Sequence, residues 1–207
     1  MGRRFEFDTE NHIYRIDGRR TRSVTDCLRG LGIIDPQWFT SGGLIRGREV
    51  HRATHYLDQC RLDWSSIKAV EEWIEQPVEP YVRGYEAFKA ETGFKVLRSE
   101  MPGFHPDRLY CGCRDKEGVL PDGTPWLVEV KTYTVPDWTA LQTGAYLPLL
   151  PNSPNGREWR RVGIELTKDG GWGPTFFDDP TDTHTFYAMW ASYQWGLKHG
   201  RYKDADR

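Results

Sequence analysis

Apolar residues along this chain change period several times, and each change predicts an element. Between residues 5 and 23 apolar and polar positions alternate, with Phe5, Phe7, Ile13, Tyr14 and Ile16 set around Asn11 and a second reversal at Asp17-Gly18. A period of two predicts a small N-terminal β meander. Ser23 stands before Val24-Thr25-Asp26, and a short helix through Leu28 and Leu31 is expected to stop at Gly32. From about Gly43 to Cys60 the pattern turns helical: Leu44, Val50, Ala53 and Leu57 mark an apolar face, and Arg46, Arg48 and Arg52 a basic one. Trp64, Ile67, Val70 and Ile74 continue at helical spacing behind Asp63, an expected cap. After Pro77, a helix from Glu79 to Thr92 places Tyr81, Tyr85 and Phe88 on one stripe and ends at Gly93.

The second half reads mainly as strands. Phe94 to Met101 alternates, Gly103 to Arg108 is expected as a loop, and Tyr110 to Lys131 reads as a hairpin reversing at Pro121-Asp122-Gly123-Thr124-Pro125. Asp137 is expected to cap a helix from Trp138 to about Leu149, with Gln142 and Tyr146 on one face. Arg161 to Lys168 and Trp172 to Phe177 flank Asp169-Gly170-Gly171, a second hairpin signal. Asp182 is expected to cap a last helix that turns Phe186, Met189, Trp190, Tyr193 and Leu197 inward. The order predicts a mixed α/β (α+β) domain covering residues 1–207. It divides into an N-terminal meander and short helix (1–42), a middle section (43–150), and a C-terminal hairpin and helix (151–207).

Composition narrows the functional classes. The chain has 207 residues, 38% of them hydrophobic and 28% charged, with a net charge of −2, so it is expected to be soluble and globular and to meet any polyanion through a local patch. No run reaches the roughly eighteen apolar residues of a membrane span, and the first residues lack an apolar signal core, so the expected location is cytoplasmic, away from membranes. Cys27, Cys60, Cys111 and Cys113 fit neither a disulfide framework nor a four-ligand zinc pattern, and buried reduced thiols are expected. Nine tryptophans fit aromatic core packing ahead of base stacking.

Candidate chemistry concentrates in the Tyr110–Lys131 hairpin. Glu129 and Lys131 are two apart and share a strand face, with Val128 and Val130 on the other. Asp115 and Glu129 are equidistant from Asp122, so a symmetric reversal sets them nearly opposite, with Cβ atoms roughly 5 Å apart. Two readings fit: a divalent-cation site using the carboxylates, or a solvated face with a Glu–Lys pair. His51 by itself reads as a core histidine, a phosphate contact or a metal ligand. A zinc pair with His55 lacks an evident third ligand.

The order of these motifs adds information. Gly47-x-x-x-His51 on a helix, Glu100 on a strand, Gly112-Cys113-Arg114-Asp115, Glu129-Val130-Lys131 and Gln142-x-x-x-Tyr146 together resemble the PD-(D/E)XK nuclease superfamily, in its RecB-type and phage-exonuclease branch. The resemblance covers roughly residues 44–150, and the meander ending at Ser23-Val24-Thr25 is similar to that of small phage exonucleases. It implies a restriction-endonuclease-like core, with a central mixed sheet flanked by helices, and a Mg2+- or Mn2+-dependent deoxyribonuclease holding one or two ions, exonuclease ahead of endonuclease. It further implies that Asp115, Glu129 and Lys131 are catalytic, supported by Gln142 and Tyr146, and that His51, Asp115, Glu129 and Glu100 serve the metal. Arg46, Arg48, Arg52 and Arg114 become candidates for DNA phosphates. DNA is the implied partner, in recombination, repair or phage DNA processing, with a recombination or single-strand-binding protein as a further one. Members usually carry Gly-Thr ahead of the aspartate, where this chain has Gly112-Cys113; the acid stays in place. Iron–sulfur members carry a C-terminal cysteine cluster, whereas the last cysteine here is Cys113, so no cluster is expected. The alternative on the same fold is a catalytically inactive DNA-binding or scaffolding module.

Overall fold

The computed structural model describes residues 2–9, 11–35, 37 and 40–202. A three-stranded antiparallel sheet comes first, of β1 (Phe5–Asp8), β2 (Ile13–Ile16) and β3 (Arg19–Thr21). The short helix α1 (Val24–Gly30) starts in a capping box: Asp26 N donates to Ser23 Oγ, and Ser23 N to the Asp26 carboxylate. Three helices follow, α2 (Ser41–Asp58), α3 (Trp64–Ile74) and α4 (Glu79–Thr92), the last ending at Gly93 in the left-handed conformation glycine adopts without steric cost.

The central sheet has strand order β4-β5-β6-β7-β8: β4 (Lys95–Phe104), β5 (Cys111–Val119), β6 (Pro125–Lys131), β7 (Arg160–Leu166) and β8 (Trp172–Phe177). Neighbours pair antiparallel except β6 and β7, which run parallel because α5 (Thr139–Tyr146) carries the chain back between them. The last helix is α6 (Asp182–Lys198).

Helices cover both faces of this sheet. Val128, Val130, Val162, Ile164 and Leu166 pack against Val50 and Ala53 of α2, Ile67 of α3 and the Tyr81–Tyr85–Phe88 stripe of α4. On the other face Tyr110 and Leu127 meet Val24, Cys27 and Leu28 of α1, Ala145 and Tyr146 of α5, and Phe186, Trp190 and Tyr193 of α6. The N-terminal sheet packs Tyr14 and Ile16 on Cys111, and Ser23 makes a parallel bridge to the same residue. No helix among the described residues is long and apolar enough to cross a membrane.

Several boundaries differ from the sequence expectation, each for a local reason. Strand β4 runs on to Phe104, because Pro102, Gly103 and Phe104 pair with Cys113, Gly112 and Cys111, so the loop begins at His105. Helix α5 ends at Tyr146, and Leu147–Leu149 tightens into a 3-10 turn around Pro148. Asp137 accepts the N–H of Trp138 and does not cap that helix from the expected position. Asp182 is the first residue of α6 and pairs with the buried Arg161 at 2.8 Å, so its carboxylate serves the sheet and does not cap the helix. All four cysteines are free, but the expected burial holds only for Cys27 and Cys111; Cys113 is half-buried and Cys60 exposed. The tryptophan expectation holds for the buried Trp126 and Trp190, whereas Trp73 and Trp195 are exposed; Trp38 lies outside the described residues.

Candidate functional site

The hairpin closes through Gly123, whose positive φ suits the reversal, and through Asp122, whose carboxylate accepts the N–H of Thr124. Pairing runs Val119↔Pro125 to Lys116↔Val128, and one further step of the same register sets Asp115 opposite Glu129. The ladder ends there. Asp115 Oδ2 instead accepts the backbone N–H of Val130 at 2.7 Å, so a carboxylate takes a hydrogen bond that the parting strands no longer supply. Both acids are thereby buried at the fork.

The neighbouring strand contributes Glu100, which would face Asp115 in the β4–β5 register but is absent from the ladder. Its φ of 53° lies in the left-handed region, at an order-of-magnitude cost of about 1–3 kcal/mol for a non-glycine residue. The consequence is visible at Lys116, whose Nζ lies 2.7 Å from Ser99 Oγ and 3.9 Å from Glu100 Oε1. Successive strand residues ordinarily point to opposite faces; the reversed φ lets Ser99 and Glu100 serve the same side.

Helix α2 supplies the imidazole. Arg46 donates to the carbonyl of Thr132 and to Gln76, tying the start of α2 to the chain just after β6. His51 Nδ1 then lies 3.3 Å from Glu100 Oε1 and 3.5 Å from Asp115 Oδ1. The ligand atoms of these three residues fall within 4.8 Å of one another, a spacing that one cation can bridge. Burial opposes a charged imidazole, but Asp115 and then Glu100 outweigh it and push His51 up to about 9. At neutral pH His51 is therefore an imidazolium that offsets the acids, and it must lose that proton to act as a ligand.

Glu129 and Lys131 form the other half. Lys131 Nζ is 2.9 Å from Glu129 Oε1, 3.3 Å from Gln142 Oε1 and 5.0 Å from the Trp138 ring centre, and Gln142 Nε2 lies 3.3 Å from Tyr146 OH. Burial first, and the Asp115 charge second, push Glu129 up to about 7. Burial also raises Asp115, with His51 holding part of that back. Lys131 stays above its ordinary value against burial, because Glu129 and Asp115 face it. Glu129 Oε2 is buried with no hydrogen-bond partner among the described residues. An ionised oxygen in that state is costly unless something electropositive meets it.

The fold thus gathers His51, Glu100 and Asp115 in one cluster, and Glu129, Lys131, Gln142 and Tyr146 in an adjoining chain of contacts. Glu129 pairs with Lys131 and does not join the three-residue cluster. The arginine expectations fare differently from one another. Arg114 is buried and bonded to Glu117 at 2.7 Å, so it cannot grip a phosphate at the surface: a fully buried glutamate needs its charge balanced inside. Arg46 is engaged within the fold, whereas Arg48 and Arg52 are exposed on α2. His55 bonds Ser99 and Gln59 and stands outside the His51–Glu100–Asp115 cluster.

Sequence reasoning did not single out the network under this site. Lys116, fully buried, pairs with Asp58 of α2 at 3.1 Å, and Asp58 also binds Lys89 and Tyr85. A signal existed: His51, His55 and Asp58 recur at i, i+4 and i+7 and so share one helix face. No family model matches the sequence, and no curated protein matches it.

Proposed function

We propose that this chain is a divalent-cation-dependent DNA nuclease of the PD-(D/E)XK type, built on a restriction-endonuclease-like core. What carries the reading is the juxtaposition, at the fork of β5 and β6, of the His51–Glu100–Asp115 cluster with a Glu129–Lys131 pair whose Glu129 Oε2 is buried and unpartnered. The donor set fits magnesium or manganese: carboxylate oxygens suit hard cations, and manganese also accepts an imidazole nitrogen. Asp115 and Glu129 would hold the ion, with His51 and Glu100 beside them. When bound, the cation supplies Lewis acidity, offsetting charge on phosphate oxygens and acidifying a water.

The remaining roles belong to the side chains. Asp115 keeps Oδ1 towards the cluster because Oδ2 is tied to Val130, so its orientation is set in advance. Lys131, held between Glu129 and Gln142, presents an ammonium that orients the attacking water or stabilises the negative charge growing at phosphorus. Water adds to phosphorus and gives up a proton to solvent, the bond to the leaving ester oxygen breaks, and that oxygen takes a proton from solvent. Tyr146 fixes Gln142, and through it the lysine.

End-labelled linear DNA and closed-circular DNA with Mg2+ or Mn2+ test this. Degradation of the linear form and resistance of the circle are expected, together with loss of about 100-fold or more in rate for Glu129→Ala and Lys131→Ala. Undiminished cutting by either variant removes the mechanism. Calorimetric titration with Mn2+ should show a site lost in Asp115→Ala; a purely DNA-binding module would show none.

A further inference from the structure

The N-terminal sheet brings to the acid cluster a side chain that none of the roles above uses. Tyr14 of β2 packs on Cys111, and the Phe5 ring stacks on Phe104 at 5.1 Å, so this sheet rests where β4 and β5 pair at Phe104 and Cys111. Ser23, just after β3, bridges Cys111 in parallel, and β2 runs antiparallel to β3. Stepping back from Tyr14 to His12 therefore leads in the direction from Cys111 towards Cys113 and Asp115. Cys113 is already at the cluster, its Sγ 4.0 Å from Glu100 Oε2. The His12 imidazole senses the same neighbourhood: burial holds it below its ordinary value, Asp26 and Glu100 pull it up, and Arg48 of α2 pushes it down. The ring is therefore uncharged at neutral pH.

Its contacts fix which nitrogen carries the proton. Tyr14 is buried, burial keeps its hydroxyl protonated, and His12 Nε2 lies 2.9 Å from that oxygen. The hydroxyl proton needs an acceptor, so it points at Nε2, and the ring's own proton sits on Nδ1. His12 Nδ1 has no hydrogen-bond partner among the described residues, and the residue is exposed. The Phe7 ring meets the imidazole edge-on at 5.2 Å and, with Tyr14, holds its plane. His12 also has a φ of 53°, a turn position that glycine fills without cost but without a donor. Arg48 is the complementary half. It stands three residues before His51 on α2, one turn or about 5–6 Å away, comparable with one or two nucleotide steps of roughly 3.4 Å. It too is exposed, and it makes no ion pair or hydrogen bond among the described residues.

We propose that His12 and Arg48 together grip one internal phosphodiester of a DNA strand, a step or two from the phosphate at the acid cluster: Arg48 supplies charge, and His12 Nδ1–H supplies a directed donor. The placing of that strand at the cluster rests on the nuclease reading; the grip itself is measured without cutting. Binding of a labelled single-stranded oligonucleotide in EDTA, across a salt series, compares the full-length wild type with His12→Ala, Arg48→Ala and the double variant. Affinity should be about tenfold weaker in Arg48→Ala and about threefold weaker in His12→Ala. The log–log salt slope should become shallower by about 1 in Arg48→Ala and stay unchanged in His12→Ala, whose donor is neutral. Because both hold one phosphate, the double variant should lose less than the product of the single losses. His12→Asn keeps a neutral N–H donor and tolerates the positive φ, so it should recover most of the affinity, with thermal midpoints equal to wild type throughout. Wild-type affinity in His12→Ala overturns the proposal, as do an Asn variant as weak as the Ala variant, multiplicative losses in the double variant, or a wild type that does not bind the strand. Strands ending in a 5′ phosphate and in a 5′ hydroxyl should lose affinity alike; a loss confined to the phosphorylated strand assigns the pair to an end group and also overturns it. If the wild type cuts DNA with Mn2+ and the variants bind equally well, the grip fails and the nuclease reading stands. If the wild type does not cut but the variants lose binding as described, the reverse holds.

Discussion

Tyr146 occupies the space that a side chain on Gly112 would need: a Cβ built on Gly112 overlaps the edge of the tyrosine ring. Gly112 sits on β5 three residues before Asp115, and Tyr146 closes the chain of contacts through Gln142 to Lys131. The glycine therefore sets how closely α5 approaches the sheet, and with it the position of the lysine.

Gly112→Ala should push Tyr146 outward and loosen Lys131. DNA cleavage is expected to fall about 10- to 100-fold, since an ångström of misplacement can cost that much, with about 1–3 kcal/mol lost in urea unfolding. Tyr146→Phe keeps the ring and removes only the hydroxyl beside Gln142, so its stability cost should be about 1 kcal/mol and its rate loss smaller. Equal activity in Gly112→Ala and wild type would break the proposed link between packing and lysine position.

Lys116→Met removes one ammonium from the buried pair with Asp58. A buried charge stripped of a partner costs about 3–5 kcal/mol, and the remaining contacts of Asp58 with Lys89 and Tyr85 should hold the loss towards the lower end. Urea midpoints should show Lys116→Met/Asp58→Asn recovering part of that loss. An additive double variant would mean that the two groups are not coupled.

Without metal, stability should fall as pH rises. His51 sits at about 9 in the folded chain against an ordinary 6.5, so its stabilising contribution is full below pH 6.5 and lost as pH climbs through 9. Glu129, raised to about 7 from 4.5, also binds its proton more tightly when folded, and its share fades between those values. The melting temperature in EDTA should therefore drop from pH 5 to pH 9. Mn2+ competes with these protons, so the increment in melting temperature that it adds should grow over the same range. Glu129→Gln should flatten the acidic part of the EDTA profile. An unchanged profile in that variant would show that Glu129 is not the group titrating there.

Glu100→Gly and Glu100→Gln both remove the carboxylate, but only glycine relieves the left-handed backbone. In EDTA the glycine variant should be more stable than the glutamine variant by about 1 kcal/mol, and both should bind Mn2+ more weakly than wild type. A glycine variant no more stable than the glutamine variant would mean that the φ at this position stores no strain.

Local patterning by itself determined most of the elements. Alternation marked the meander and the sheet strands, the 3.6-residue period marked the helices, and Asp17-Gly18, Pro121–Pro125 and Asp169–Gly171 marked reversals. The hairpin register was also legible, because the ladder centres on Asp122 as the spacing of Asp115 and Glu129 implies. What the sequence could not specify depends on contacts between distant segments. Whether Arg114 faces solvent or a buried Glu117, and whether Asp182 caps a helix or pairs with Arg161, is decided by which strand or helix packs alongside. The union of His51, Glu100 and Asp115 required α2 to pack against the sheet and the backbone to reverse at Glu100, and neither is encoded by local period or propensity.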